Sequence, residues 1–95
     1  MTTIVDIKTV DGDKTRDWSI VVGETAQKHV LRTFNVTDNA KVDATKVLCA
    51  ALIQQMIDLR DDPASPPHVK RACAIGITQV ELVQMPLVKA NFVQA

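Results

Sequence analysis

Alternating β-branched and polar residues mark the first two elements of the chain. Thr3 to Val10 (TIVDIKTV) and Thr15 to Val22 (TRDWSIVV) flank Asp11, Gly12, Asp13 and Lys14, and Gly12 can adopt the positive φ that a tight hairpin requires. Period-two alternation places Trp18, Ile20 and Val22 on one face of the second strand and Asp17 and Ser19 on the other. Trp18 is therefore expected as a core anchor beneath the sheet. Gly23 ends the strand, and His29 to Phe34 (HVLRTF) can add a third short strand leading towards the helices. A two-stranded ribbon alone would be marginal.

The pattern then changes to helical spacing. Thr37, Asp38 or Asn39 can cap an element that runs from Ala40 to Arg60 without Gly or Pro. Asp43, Lys46, Ala50 and Gln54 follow one stripe of it, whereas Val42, Leu48, Leu52, Ile53, Met56 and Leu59 spread over the rest. Such breadth predicts contacts on more than one side. Asp61 to Pro67 (DDPASPP) interrupts the helix, and Ser65 followed by prolines starts a second one, predicted to reach about Val93. Pro86 lies inside it, where a missing hydrogen bond and a steric clash cost roughly 3 kcal/mol, so a kink is expected there rather than a stop near Gln84. The predicted architecture is α+β: a β-element of two or three strands over residues 1–34 and a long antiparallel helical hairpin over 35–95, in one domain.

Composition narrows the function. Ninety-five residues bury only a modest core, and although 46% are hydrophobic, the only aromatics are Trp18, Phe34 and Phe92. Aliphatic side chains must supply the burial, and such a chain often completes its core by forming an oligomer. Eleven basic and eleven acidic residues cancel, which argues against a DNA- or RNA-polymer binder that works by displacing counterions. Cys49 and Cys73 lie in apolar helical runs with no second Cys or His at metal-ligand spacing, and read as buried free thiols. His29 and His68 are far apart, each without a carboxylate at helical spacing, so neither a metal site nor a catalytic dyad is expected. No apolar run has the length of a membrane span, and the start MTTIVDIK has neither the basic leader nor the apolar centre of a signal peptide, so a soluble cytoplasmic protein is expected.

The chemistry concentrates in the second helix. Arg71, Thr78 and Lys89 fall on one line, because steps of seven and eleven residues nearly complete two and three turns. Val69, Cys73, Val80, Val83 and Leu87 form the opposite, apolar stripe. A cationic, hydroxyl-bearing line suits a small anion.

Two segments, FNVTDNAKVDATK from Phe34 to Lys46 and RACAIGITQVELVQMPLVKANF from Arg71 to Phe92, resemble the helical-hairpin domain shared by phage anti-CBASS cyclic-nucleotide sponges and phage Thoeris anti-defence sponges. The matching positions are the aromatic Phe34 and polar turn, the Val-Asp-x-x-Lys stretch ending at Lys46, and then Arg71, Thr78, Glu81, Met85, Val88, Lys89 and Ala90. The likeness spans roughly the last two thirds of the chain. It departs from the family at Pro86, where many relatives carry a tryptophan or other bulky residue, and in the longer N-terminus, whose β-hairpin is more like the Thoeris-type members.

The resemblance implies a protein that binds and sequesters cyclic di- or trinucleotide messengers, or cyclic ADP-ribose isomers, without cleaving them. Its pockets are completed by neighbouring subunits in a homo-oligomer, from dimer to hexamer. On this reading Arg71 takes a phosphate oxygen or base edge through its planar fork, Lys46 a phosphate as a point charge, and Thr78 adds a hydroxyl bond. Phe34 stacks on a base, and Asn39 reads a base edge or caps the first helix. Each has a structural alternative. Phe34 can plug the junction of sheet and helices, Lys46 can pair with Asp43, Thr78 can bond back to its own helix, and Glu81 can pair with a neighbouring subunit's base or fix Lys46.

An enzyme cleaving such messengers would need a His pair, a metal cluster or an activated nucleophile, and no such constellation is legible. No cofactor is implied. A small oligomeric interaction protein without a nucleotide ligand is the remaining alternative.

Overall fold

The computed structural model describes residues 2–32 and 39–94, with side chains as far as Asn91. Strands β1 (Thr3–Asp11) and β2 (Lys14–Val22) pair antiparallel in a single two-stranded sheet, with Val5 opposite Ile20 and Ile7 opposite Trp18. Gly12 and Asp13 form the two-residue turn, and Gly12 has φ +60°. Glycine at the first central position is the requirement of a type II′ turn, whose twist matches that of the strands it joins.

Among the described residues no third strand follows, and the Thr33 and Phe34 end of the expected strand lies outside them. Helix α1 spans Glu24–His29, with Glu24 in its first turn and Lys28 and His29 in its last, an order that complements the helix dipole. The stretch ETAQKH prefers a helix, and it turns the chain at Val30 before HVLRTF can extend. Leu31 then adopts φ +52°, the left-handed region that an L-residue pays roughly 1–2 kcal/mol to enter.

Helices α2 (Ala40–Asp61) and α3 (Pro67–Gln94) form the hairpin. Asn39 caps α2, its Oδ1 accepting from Lys41 N at 2.9 Å and Val42 N at 3.3 Å. At the connection, Asp62 Oδ1 accepts from Ala64 N at 2.9 Å, which forms the turn that Pro63 and Ser65 surround. Helix α3 continues through Pro86. Gly76 lets the helices approach closely, since a Cβ there would stand 2.5 Å from Met56 Sδ.

Helix α2 is the centre of the fold. One side meets the sheet and α1, another meets α3, and the core joins Val5, Val22, Ala26 and Val30 to Cys49, Ala50, Ile53 and Ile77. Buried positions on α2 are Val42, Lys46, Cys49, Ala50, Ala51 and Ile53. The stripe through Lys46 and Ala50 therefore faces inward, while Leu48, Leu52 and Leu59 face out. On α3 the buried line is Cys73, Ile77 and Gln84, and Val83 and Leu87, expected inside, are about half exposed. The interior side of α2 mixes the small Cys49, Ala50 and Ala51, where neighbours come close, with the larger Val42 and Ile53.

Trp18 is not the expected core anchor. It is 43% exposed and leans towards Leu48, Ala51 and Leu52 of α2 from the edge of the sheet. Val22, fully buried, takes the anchoring role at the other end of the same face.

Candidate functional site

The segment after α1 is held by Arg32. Its Nε and Nη2 donate to Asp43 Oδ1 and Oδ2 at 3.2 and 3.4 Å, and its Nη1 donates to Gln27 Oε1 at 2.8 Å and to Thr3 Oγ1. Gln27, itself buried, donates through Nε2 to the Val22 carbonyl at 3.1 Å. One guanidinium thus joins β1, α1 and α2, and it fixes the turn in which Leu31 adopts its left-handed conformation.

That turn presents a carbonyl to the hairpin. Lys46 Nζ donates to Leu31 O at 2.9 Å, and Lys46 is 4% exposed. Burial lowers its pKa from the ordinary lysine value, and Asp43 offsets part of that by favouring the charged form. A cation is thereby held at the base of the helical hairpin, where the cost of desolvation makes an anionic partner favourable.

Beside it lies a cavity of about 480 Å³, lined by Val30, Leu31, Lys46, Gln84, Met85, Val88 and Lys89. Its volume falls in the roughly 300–1,000 Å³ range of small-molecule sites. Gln84 is 8% exposed and its Oε1 has no hydrogen-bond partner among the described residues. A buried amide oxygen without a donor costs about 1–3 kcal/mol, so it is a position where an incoming N–H or O–H is strongly favoured. The wall is therefore formed by the side chains of two lysines, a buried amide whose oxygen has no partner among the described residues, and an aliphatic surface.

The structure separates the residues singled out from sequence. Lys46 lines the cavity. Arg71 is exposed near the start of α3, thirteen residues and thus about 20 Å along the helix from Gln84, too far for the same small molecule within one chain. Thr78 is exposed too, and its Oγ1 donates back to Ala74 O at 3.5 Å. Asn39 uses its Oδ1 as the α2 cap. Phe34 lies outside the described residues. Lys89 was placed on the Arg71 line by periodicity, but antiparallel packing brings it level with Lys46.

Two further pairings escaped the sequence. His29 Nδ1 lies 2.9 Å from Glu81 Oε1, so Glu81 engages α1 and does not fix Lys46. Asn91 Nδ2 donates to Thr45 Oγ1 at 2.6 Å and closes the open end of the hairpin. Gln84 was legible in principle, since it lies seven residues after Ile77 and eleven after Cys73, on the buried line of α3, and a polar residue on such a line is informative.

Cys49 and Cys73 are both free and buried, and burial pushes the Cys49 thiol above its usual range, which keeps it protonated and a poor nucleophile. Among the described residues no group of three or more His, Cys, Asp or Glu is placed to hold a metal ion, and no helix is long and apolar enough to cross a membrane. Comparison with protein-family models, with curated proteins and with solved structures finds no match to this chain.

Proposed function

We propose that this protein is an anti-defence sponge, acting in the cytoplasm of an infected cell, that binds a cyclic nucleotide messenger and holds it without cleavage. The observation that carries the reading is the cavity that Lys46, Gln84 and Lys89 line together, with the Gln84 Oε1 buried and without a partner among the described residues. A cyclic nucleotide brings phosphodiester anions for the two ammonium groups, and base N–H or ribose O–H donors for the amide oxygen. The resemblance of Phe34–Lys46 and Arg71–Phe92 to the sponge hairpins supports the same ligand class. Cyclic di- and trinucleotides are the first choice and cyclic ADP-ribose isomers the second.

Sequestration at submicromolar messenger levels needs nanomolar affinity, about −12 kcal/mol, which a small polar ligand reaches only when enclosed. The Lys46 cavity is open on one side, so a neighbouring copy completes it. Arg71 and Thr78 belong in this reading to a separate contact along α3, reached by ligand only from a neighbour.

The test is a thermal-shift screen against cyclic dinucleotides, cyclic trinucleotides and cyclic ADP-ribose isomers, with the hit recovered by chromatography after heat release. A shift with the ligand returned intact, weakened at least tenfold by Lys89→Ala, supports the sponge. A ligand returned altered identifies an enzyme, and no shift with any messenger overturns the reading.

A further inference from the structure

The apolar face that the fold leaves uncovered is continuous. A groove of about 740 Å³ runs between α2 and α3 past Leu48, Leu52, Val83 and Leu87, and a second depression of about 350 Å³ shares Leu48 and Leu52 and extends to Ile7 and Trp18 of the sheet. The four groove residues leave between 48% and 55% of their surface in water. No charged residue lines either depression, and the polar positions are the neutral Thr45, Gln55 and Gln79. A single helix face with this composition would be unremarkable, but here β1, β2, α2 and α3 all contribute to one patch.

The area of the whole chain says how much of that surface is surplus. It exposes 6679 Å², whereas a folded monomer of 10.4 kDa is expected to expose about 5,400 Å², an excess of roughly 1,300 Å². Its radius of gyration is 14.7 Å, against about 12.4 Å for a compact chain of this length. A stable pair needs about 800 Å² from each partner. The excess is sufficient for one such interface. The formal net charge is zero, so two copies meet without net repulsion.

We infer that this face, from Trp18 and Ile7 across Leu48 and Leu52 to Val83 and Leu87, is where a second copy of the chain docks. Face-to-face pairing about a two-fold axis places the same apolar patch of each copy against the other and leaves no unpaired charge inside. The α2–α3 groove receives side chains from the partner's helices, and Trp18, whose ring stands at the edge of the sheet, is covered by the partner. The inference stands on the exposed surface alone and needs no nucleotide.

The experiment is sedimentation equilibrium of the full chain without nucleotide, beside Leu52→Glu and with Trp18 emission followed on dilution. Trp18 is the only tryptophan, so its spectrum reports this face directly. Assembly to at least twice the chain mass, loss of that assembly in Leu52→Glu with unchanged far-UV helicity, and a red shift of Trp18 emission as the wild type dissociates are the expected results. A wild-type chain that stays monomeric at tens of micromolar overturns the inference. So does an assembly that Leu52→Glu leaves intact, or one whose dissociation leaves Trp18 emission unchanged. Should Leu52→Glu not fold, the wild-type emission decides. An assembly that binds its messenger and that Leu52→Glu leaves intact would refute this interface and leave the ligand reading standing, and an assembly through this face that binds no messenger would do the reverse.

Discussion

His29 Nδ1 and Glu81 Oε1 stand 2.9 Å apart across 52 positions of sequence, tying α1 to the middle of α3. The side chains are 34% and 40% exposed, so solvent screens the pair and its contribution should stay below about 1 kcal/mol. A double-mutant cycle of His29→Ala and Glu81→Ala in urea denaturation is expected to return a coupling under that figure. A larger value would make α1 docking depend on this pair rather than on Ala26 and Val30.

Arg32 should matter far more. Its side chain is 19% exposed and serves Asp43, Gln27 and Thr3 together, so Arg32→Ala takes the guanidinium away from three partners on β1, α1 and α2 at once. Loss of one such partner costs about 1–3 kcal/mol, and Arg32→Ala is expected at the upper end of that range. Arg32→Lys should recover little, because an ammonium cannot match the fork of donors. Urea midpoints of the two variants check both statements.

The hairpin and the two long helices were legible because local signals agreed: period-two alternation around Gly12, an uninterrupted Ala40–Arg60, and prolines between the helices. The third strand was misread because HVLRTF has strand-like residues, whereas the preceding ETAQKH forms a helix whose core contacts are long-range. Which face of α2 is buried was also hidden. Leu48 and Leu52 are more apolar than Lys46 and Ala50, but the packing of α1, the sheet and α3 around α2 encloses the Ala50 side and places Lys46 where Leu31 O can receive it. Of the residues that line the cavity, Lys46 is one that the resemblance singles out. Helical periodicity groups Lys89 with Arg71, eighteen residues away and on the far side of Pro86, and only the antiparallel pairing of α2 with α3 puts it beside Lys46.

Lys46 gives the protein a pH signature. Burial holds its folded-state pKa below the ordinary value of 10.5, so between those two values the unfolded chain binds more protons than the folded one. Stability then rises with pH across that window and gains nothing further above 10.5. Lys46→Met, which keeps the unbranched shape without the charge, should flatten this rise. Urea midpoints measured from neutral to alkaline pH should differ in slope between the two proteins, and parallel curves would mean that Lys46 titrates as a solvated lysine.

Adjacent residues on α2 separate core from surface. Ile53 is fully buried among Val22, Ala50 and Ile77, and Ile53→Ala should cost about 2–5 kcal/mol through lost transfer energy and a residual cavity. Leu52 is 53% exposed, and Leu52→Ala should cost well under 1 kcal/mol in dilute protein. Where the chain assembles through this face, the Leu52→Ala penalty grows with protein concentration while that of Ile53→Ala does not. Thermal melts at two concentrations distinguish them.

Gln84 tests whether the cavity is a site or a packing defect. An apolar residue of similar length, as in Gln84→Met, removes the unpaired oxygen and its desolvation penalty while keeping the volume that fills the hairpin. The ligand-free variant should gain about 1 kcal/mol of stability. The same change should weaken messenger binding at least tenfold, because the acceptor for the ligand's N–H or O–H is gone. A residue held in place only for packing would behave differently: Gln84→Met would lower stability or leave it unchanged, and binding would not move. Urea denaturation without ligand, paired with titration calorimetry using the messenger identified by the screen, reads both arms. Opposite signs in stability and affinity are the mark of a buried polar group kept for binding, and parallel signs would remove Gln84 from the site.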